Sequence, residues 1–242
     1  MKYMGSKSRI SKYIVPFIKD LLKDDTIYIE PFSGGMNMMC AVEHKNRIAN
    51  DINNYLIAMW RYIIDGYNFP LHVPRETYNH YREIFNRLKF TSDSTSEDAA
   101  LIGWYGFMDS FNGRFFDGGY SGHDVHGRDY IGENIRNTLS QKDKLNNVIF
   151  KSCDYKDLEI PLNSVVYCDI PYQGTKQYST SKDFNYDDFF KWCRLQGSKG
   201  VKILLSEYNA PSGFNCIWSK EITNSLNQTK TYKPIEKLFI LE

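Results

Sequence analysis

An α/β fold with a largely parallel sheet, mixed at one edge and interrupted by an insertion, is what this sequence predicts. Three observations carry it. A β-branched and aromatic run from Thr26 to Phe32 breaks at Ser33-Gly34-Gly35 and passes into a helical run, Met36 to His44. A second short run, Arg47 to Asp51, ends in an acid and is followed by another helical segment, Tyr55 to Ile64. Beyond residue 135 the alternation resumes. Strands alternating with helices imply parallel pairing through right-handed crossovers.

Taken in order, the first element is a helix between Gly5 and Leu22. Its apolar residues Ile10, Tyr13, Ile14, Phe17, Ile18, Leu21 and Leu22 fall on one stripe, and Pro16 predicts a kink or a later start. The strand, glycine turn and helix that follow form a nucleotide-site signature. From 67 to 135 the character changes, and the run Gly106 to Gly122 is too glycine-rich to predict regular structure. This is the expected insertion, which leaves 1–66 and 136–242 as the main domain. Further strands are predicted at Val148 to Cys153, Val165 to Cys168 and Val201 to Ser206, with a helix near Tyr186 to Leu195. Phe214 to Ile222 and Lys237 to Leu241 read as a hairpin, for about seven strands in all.

Composition narrows the function. The chain has 242 residues, 42% hydrophobic and 24% charged, which excludes a disordered tail or a fibre. A net charge of +1 excludes a uniformly basic coat for nucleic acid, so the local distribution matters. Residues 1–23 hold six basic groups against one acid, and 173–202 hold six against three. Each cluster also reads as a solvated helix face. Five cysteines without a C-x-x-C pair predict a reducing compartment and no metal site. No signal-length or membrane-length apolar run is present, which predicts a cytoplasmic protein without membrane association.

The chemistry centres on Val165-Val166-Tyr167-Cys168-Asp169-Ile170-Pro171-Tyr172, which puts an acid, a restricted backbone and a ring at the carboxyl end of a buried strand. Ligands bind at that edge of open α/β sheets, although a single Asp there also suits a helix cap. Glu207 ends a later strand and suits either the wall of a base pocket or a cap.

Asp169-Ile170-Pro171-Tyr172 resembles the D-P-P-Y motif of amino-group methyltransferases, and with it the chain resembles DNA N6-adenine methyltransferases of the Dam type, the D12 class, in their α arrangement. Lys2-Tyr3-Met4-Gly5-Ser6-Lys7 is similar to the family's opening K-W-x-G-x-K, and Glu30-Pro31-Phe32-Ser33-Gly34-Gly35 to its E-P-F-x-G-x-G loop. Asp51 falls where the family has its ribose-binding acid, and Phe150 to Tyr155 resembles its F-x-x-x-D-F element.

The resemblance implies a Rossmann-like S-adenosylmethionine-dependent methyltransferase fold with a mixed seven-stranded sheet, in which 67–135 is the target-recognition region. It also implies S-adenosylmethionine as cofactor and duplex DNA as partner, no metal, a monomer, and a phage or prophage setting or a restriction partner. Gly34 and Gly35 would let backbone approach the methionine part, with Pro31 and Phe32 in the same loop and Glu30 and Ser33 supporting it. Asp51 would take the ribose hydroxyls and Asp154 the adenine amino group. Tyr3, Gly5 and Lys7 would close the methionine end, though Lys7 also reads as an ordinary helix-start lysine.

Asp169 and the carbonyl of Ile170 would accept the hydrogens of a flipped-out adenine's amino group, with Pro171 stiffening the turn and Tyr172 stacking on the base. Phosphates would meet Lys7, Arg9, Lys12, Lys176 and Lys182, together with Lys220, Lys230 and Lys233, while Arg114 and Arg128 would read bases. Residues 75–136 hold seven basic groups against ten acidic ones, an awkward balance for that surface. The rings of Phe107, Phe111, Phe115, Phe116 and Tyr120 suit either the gap left by a flipped base or the packing of a small lobe.

Two departures stand out: Ile170 replaces the usual Pro, and Met36 replaces the last glycine of the loop. With the acidic insertion they leave open a DNA-binding relative with impaired turnover, and because other amino groups pose the same chemical problem, methylation of cytosine N4 or RNA by the same fold is a further alternative.

Overall fold

The computed structural model describes residues 1–122, 127–173, 184–221 and 234–242. Seven strands form one sheet in the order β3-β2-β1-β4-β5-β7-β6, with β1 (Ile27–Glu30), β2 (Arg47–Asn50), β3 (Val148–Lys151), β4 (Ser164–Asp169), β5 (Lys202–Glu207), β6 (Phe214–Glu221) and β7 (Ile235–Leu241). The first five are parallel, and β7 runs antiparallel to both β5 and β6. The mixed edge and the hairpin are therefore present as the sequence predicts.

Alternation along the strands sends side chains to two apolar layers. Tyr28, Ala49, Val165, Tyr167, Leu204 and Leu238 face α1 (Ser11–Lys19), α2 (Asn37–Ala41), α3 (Asn54–Ile64) and the insertion. Ile29, Val166, Cys168, Ile203, Leu205 and Phe239 face the other way, against Phe189, Trp192 and Cys193 of α7 (Tyr186–Ser198). Each large side chain buried from water contributes about 1.5–3 kcal/mol, so neither face stands without its cover.

Helix α1 begins at Ser11 rather than near Gly5. Residues 3–10 form turns instead, closed by Ser6 N–H to the Tyr3 carbonyl and Ile10 N–H to the Lys7 carbonyl, and Gly5 sits at φ +78°. Pro16 lies inside α1 without ending it. Helix α2 is shorter than predicted at both ends: Met36, at φ +57°, does not join it, and Val42 is already extended at φ −93° and ψ 98°.

The insertion corrects the sequence reading most. It holds α4 (Arg75–Leu88), α5 (Glu97–Met108) and most of α6 (Tyr130–Leu139). Helix α5 runs through Gly106, which the sequence assigns to irregular structure. Gly103 and Gly106 are sites of close approach: a Cβ on Gly103 would lie 2.1 Å from the Tyr55 carbonyl oxygen of α3, and one on Gly106 2.4 Å from Phe115. Buried on nearly every side, α5 packs along α3, so the insertion and the sheet share one apolar cluster. The boundary drawn at 135/136 falls inside α6.

Candidate active site

Parallel pairing brings the carboxyl ends of β1 to β5 to one edge, and the chain's order reverses between β1 and β4, where an open sheet leaves a crevice. The loop after β1 supplies one wall. Glu30 is buried and accepts a hydrogen bond from the Tyr28 hydroxyl at 2.8 Å, and burial pushes its carboxyl up to about 8. It therefore stands behind the loop as a neutral acid near pH 7. Phe32 packs against Tyr155, Phe184 and Phe189. Ser33 donates from its backbone N–H and its hydroxyl to the Asn50 carbonyl, at 2.9 and 2.8 Å.

Gly34 adopts φ +46° and its N–H donates to Asp51 Oδ2 at 2.9 Å, while Asp51 Oδ1 accepts from Asn53 N–H at 2.9 Å. Burial raises the Asp51 carboxyl to about 6 despite those two donors. Tyr3 lies on the glycines, since a Cβ on Gly34 or on Gly35 would come within 2.6 Å of its side chain. Met36 takes a left-handed backbone that glycine would adopt without cost, and its side chain is wholly buried.

One residue that no motif singles out holds this edge together. Asn50 Nδ2 donates to the Pro31 and Cys153 carbonyls, both at 3.0 Å, and its Oδ1 accepts from Cys153 N–H at 3.1 Å. Ser152 adds a bond from its hydroxyl to the Asp51 carbonyl at 3.1 Å. The loop carrying Asp154 is thereby tied to the loops carrying Pro31 and Asp51, and Asp154 itself accepts from Lys156 N–H at 2.9 Å. Asn50 is fully buried, and the one sign of it in the sequence is a polar residue at the last position of a short strand.

The opposite wall is the loop after β4. Asp169 Oδ1 pairs with Lys7 Nζ at 2.8 Å, and Lys7 also donates to the Gly5 carbonyl at 3.3 Å. Burial raises the Asp169 carboxyl to about 6, with the Lys7 ammonium opposing the shift. Lys7 is 6% exposed, which removes it from the surface where a phosphate would meet it and corrects that assignment. Its ammonium also lies 4.4 Å over the Tyr172 ring. The Ile170 side chain enters the core against α7, so the aliphatic group that replaces Pro is spent on packing. The Pro171 carbonyl accepts from the Tyr186 hydroxyl at 2.8 Å. Glu207 accepts from Gln173 N–H at 2.5 Å and also from Tyr208 N–H, which makes it the cap of this loop.

The basic residues assigned to DNA divide. Arg9 and Lys12 are exposed on the N-terminal segment, and Lys220 joins Lys12 over the Tyr13 ring, at 3.7 and 5.0 Å. Arg128 is exposed, paired with Glu133 at 2.7 Å. Arg114 is half-buried, with Nε out of water and without a hydrogen-bond partner among the described residues. Lys176, Lys182, Lys230 and Lys233 lie outside the described residues. Of the insertion's rings, Phe107, Phe115 and Phe116 are buried in packing and Phe111 is 47% exposed. Among the described residues no helix is long and apolar enough to cross a membrane, and no group of His, Cys, Asp and Glu is arranged to hold a metal ion.

A sheet edge that combines a glycine loop, an acid after β2 and an Asp-x-Pro-Tyr turn after β4 defines a class, and the match is to the D12 class N6 adenine-specific DNA methyltransferases over residues 3–238. The chain belongs to this family. It is similar to the type II methyltransferase M.FokI of Planomicrobium okeanokoites, with 26% identity over 271 aligned positions that take in 100% of this chain and 37% of that protein. The chain thus spans little more than a third of that relative's length. It is also similar to the crystal structure of SMU.472 complexed with SAH, at 13% identity and a TM-score of 0.34, covering 98% of this chain and 53% of that one.

Proposed function

We propose that the protein transfers a methyl group from S-adenosylmethionine to N6 of a flipped-out adenine in duplex DNA. The observation that carries this reading is the adjacency of β1 and β4, which sets the loop of Gly34 and Gly35 beside Asp169 and Ile170. The residues suit the methyl donor. Gly34 takes a left-handed turn that admits close approach of backbone, and Asp51 keeps lone pairs beyond those its two backbone donors use. Gly34, Gly35, Asp51, Asp154 and Tyr3 would hold the donor, which when bound supplies an electrophilic sulfonium methyl.

The remaining chemistry belongs to the chain. The adenine amino lone pair is conjugated with the ring and must be turned out of it. Two acceptors on the amino hydrogens, the Asp169 carboxylate and the Ile170 carbonyl, would do this. Lys7 keeps that carboxylate oriented, and a carboxyl near 6 is ionised at neutral pH yet basic enough to take the proton the nitrogen gives up. Tyr172 offers a ring to the base. Arg9, Lys12 and Lys220 would hold phosphates, and the insertion, with Arg114 and Arg128, would read bases, in a cytoplasmic setting. Incubation with unmethylated duplex DNA and labelled S-adenosylmethionine, then nucleoside analysis, should yield N6-methyladenine. Label on cytosine N4 or on RNA alone, or no label, would overturn the reading.

A further inference from the structure

A carboxylate from a strand that carries no family motif reaches into this site. Glu236 lies on β7, on the face it shares with the fully buried Leu238, and is itself 6% exposed. Its Oε2 accepts a hydrogen bond from the Tyr172 hydroxyl at 2.6 Å. Since β5 separates β7 from β4 in the sheet, the bond spans a strand to hold the loop that follows Asp169. Tyr172 is gripped on other sides as well, by the Lys7 ammonium 4.4 Å over its ring and by Tyr208 edge-on at 4.7 Å. A buried carboxylate needs a reason to stay in a core strand, and a buried phenol needs an acceptor.

We propose that Glu236 is a positioning residue: through the Tyr172 hydroxyl it fixes the ring against which the extruded base stacks, and takes no part in the chemistry itself. This rests on the reading that Tyr172 meets the base. A ring tethered at its far end cannot swing about its Cβ, so the stacking face is set before the base arrives. Without Glu236, the hydroxyl must find another acceptor and the ring rotates to reach it. Small displacements of positioning groups cost about 10²-fold in rate.

The test is a double-mutant cycle on methyl transfer to duplex DNA by the full chain, with S-adenosylmethionine binding measured separately. Glu236→Ala should lower kcat by about 10- to 100-fold and leave the Kd for S-adenosylmethionine within about twofold. Tyr172→Phe should lower it comparably, and the double variant should fall no further than the worse single one, because both delete one bond. Glu236→Gln, which keeps an acceptor, should recover most of the rate. Full activity of Glu236→Ala or of Tyr172→Phe, or losses that multiply in the double variant, would overturn the proposal. Should Glu236→Ala not fold, Tyr172→Phe alone and combined with Glu236→Gln carries the same decision. A wild-type chain that makes no N6-methyladenine sinks the functional reading, whereas an active wild type with indifferent variants sinks only the role of Glu236.

Discussion

At the carboxyl ends of β1 and β2 the chain is held by hydrogen bonds between backbone and side chain: Asn50 and Ser33 donate to carbonyls and Asp51 accepts from the Gly34 N–H. In the insertion, rings fill that place. Phe107 lies tilted against Phe115 at 4.7 Å, Phe115 meets Phe85 edge-on at 4.9 Å, and Phe85 stacks on Phe116 at 5.5 Å. The first arrangement fixes where atoms stand and so suits chemistry. The second fixes volume, and it tolerates polar side chains such as that of Asp109, buried without a hydrogen-bond partner among the described residues. Substitutions should therefore separate the two regions, with rate lost in one and stability in the other.

The largest effect belongs to the sheet edge. Asp169→Asn, which keeps an oxygen for the buried Lys7 ammonium, should lower methyl transfer by about 10³- to 10⁴-fold with little change in melting temperature, measured by label incorporation and calorimetry. The wild-type rate should show an acid limb near pH 6, where the Asp169 carboxyl takes up its proton, and a rate that is flat down to pH 5 would contradict the role given to that carboxylate. Next comes the insertion: Phe107→Ala, at a position 2% exposed, should cost about 3–5 kcal/mol of stability in denaturant unfolding. A loss under about 1 kcal/mol would mean that the rings are not what holds this region.

Asp109 gives an effect with a definite sign. Burial pushes its carboxyl up to about 9, so the folded chain keeps a proton that the unfolded chain releases above its ordinary value of 3.8. Stability should fall as pH rises between those values, and Asp109→Asn should flatten that slope in melting curves taken across pH. A slope identical in both proteins would show that the carboxyl is paired in solution. The smallest change is a gain. Lys89 ends α4 at φ +58° and ψ −154°, a region that suits glycine, and the Tyr55 hydroxyl bonds its carbonyl, an acceptor glycine keeps. Lys89→Gly should add about 0.5–1 kcal/mol.

The same division explains what the sequence made legible. Parallel strands read as short apolar runs, and the positions of β1, β2, β4 and β5 follow from Thr26 to Phe32, Arg47 to Asp51, Val165 to Cys168 and Val201 to Ser206. The glycine turn and the Asp169 loop were equally plain, because both are contiguous and each residue's contribution is local. The insertion was not. Gly103 and Gly106 look like breakers until α3 and Phe115 are in place beside them, and nothing within α5 announces those neighbours. The phosphate-contact reading of Lys7 failed for a related reason: a lysine in a basic segment reads as surface, and only its pairing with Asp169, far along the chain, takes it inside. Glu236 and Asn50 carried a signal of another kind, a polar side chain on a core-facing strand position.

Asn50 also limits what this chain can become. Its amide presents two donated hydrogens to carbonyls and one oxygen to an N–H, with no contact to solvent. Aspartate is the same size but would set a charge against two carbonyl oxygens, and glutamine is longer by a carbon with nowhere to put it. Either replacement breaks at least one of the bonds that tie the loops after β1 and β3 to β2, so three loops of this edge depend on a single amide.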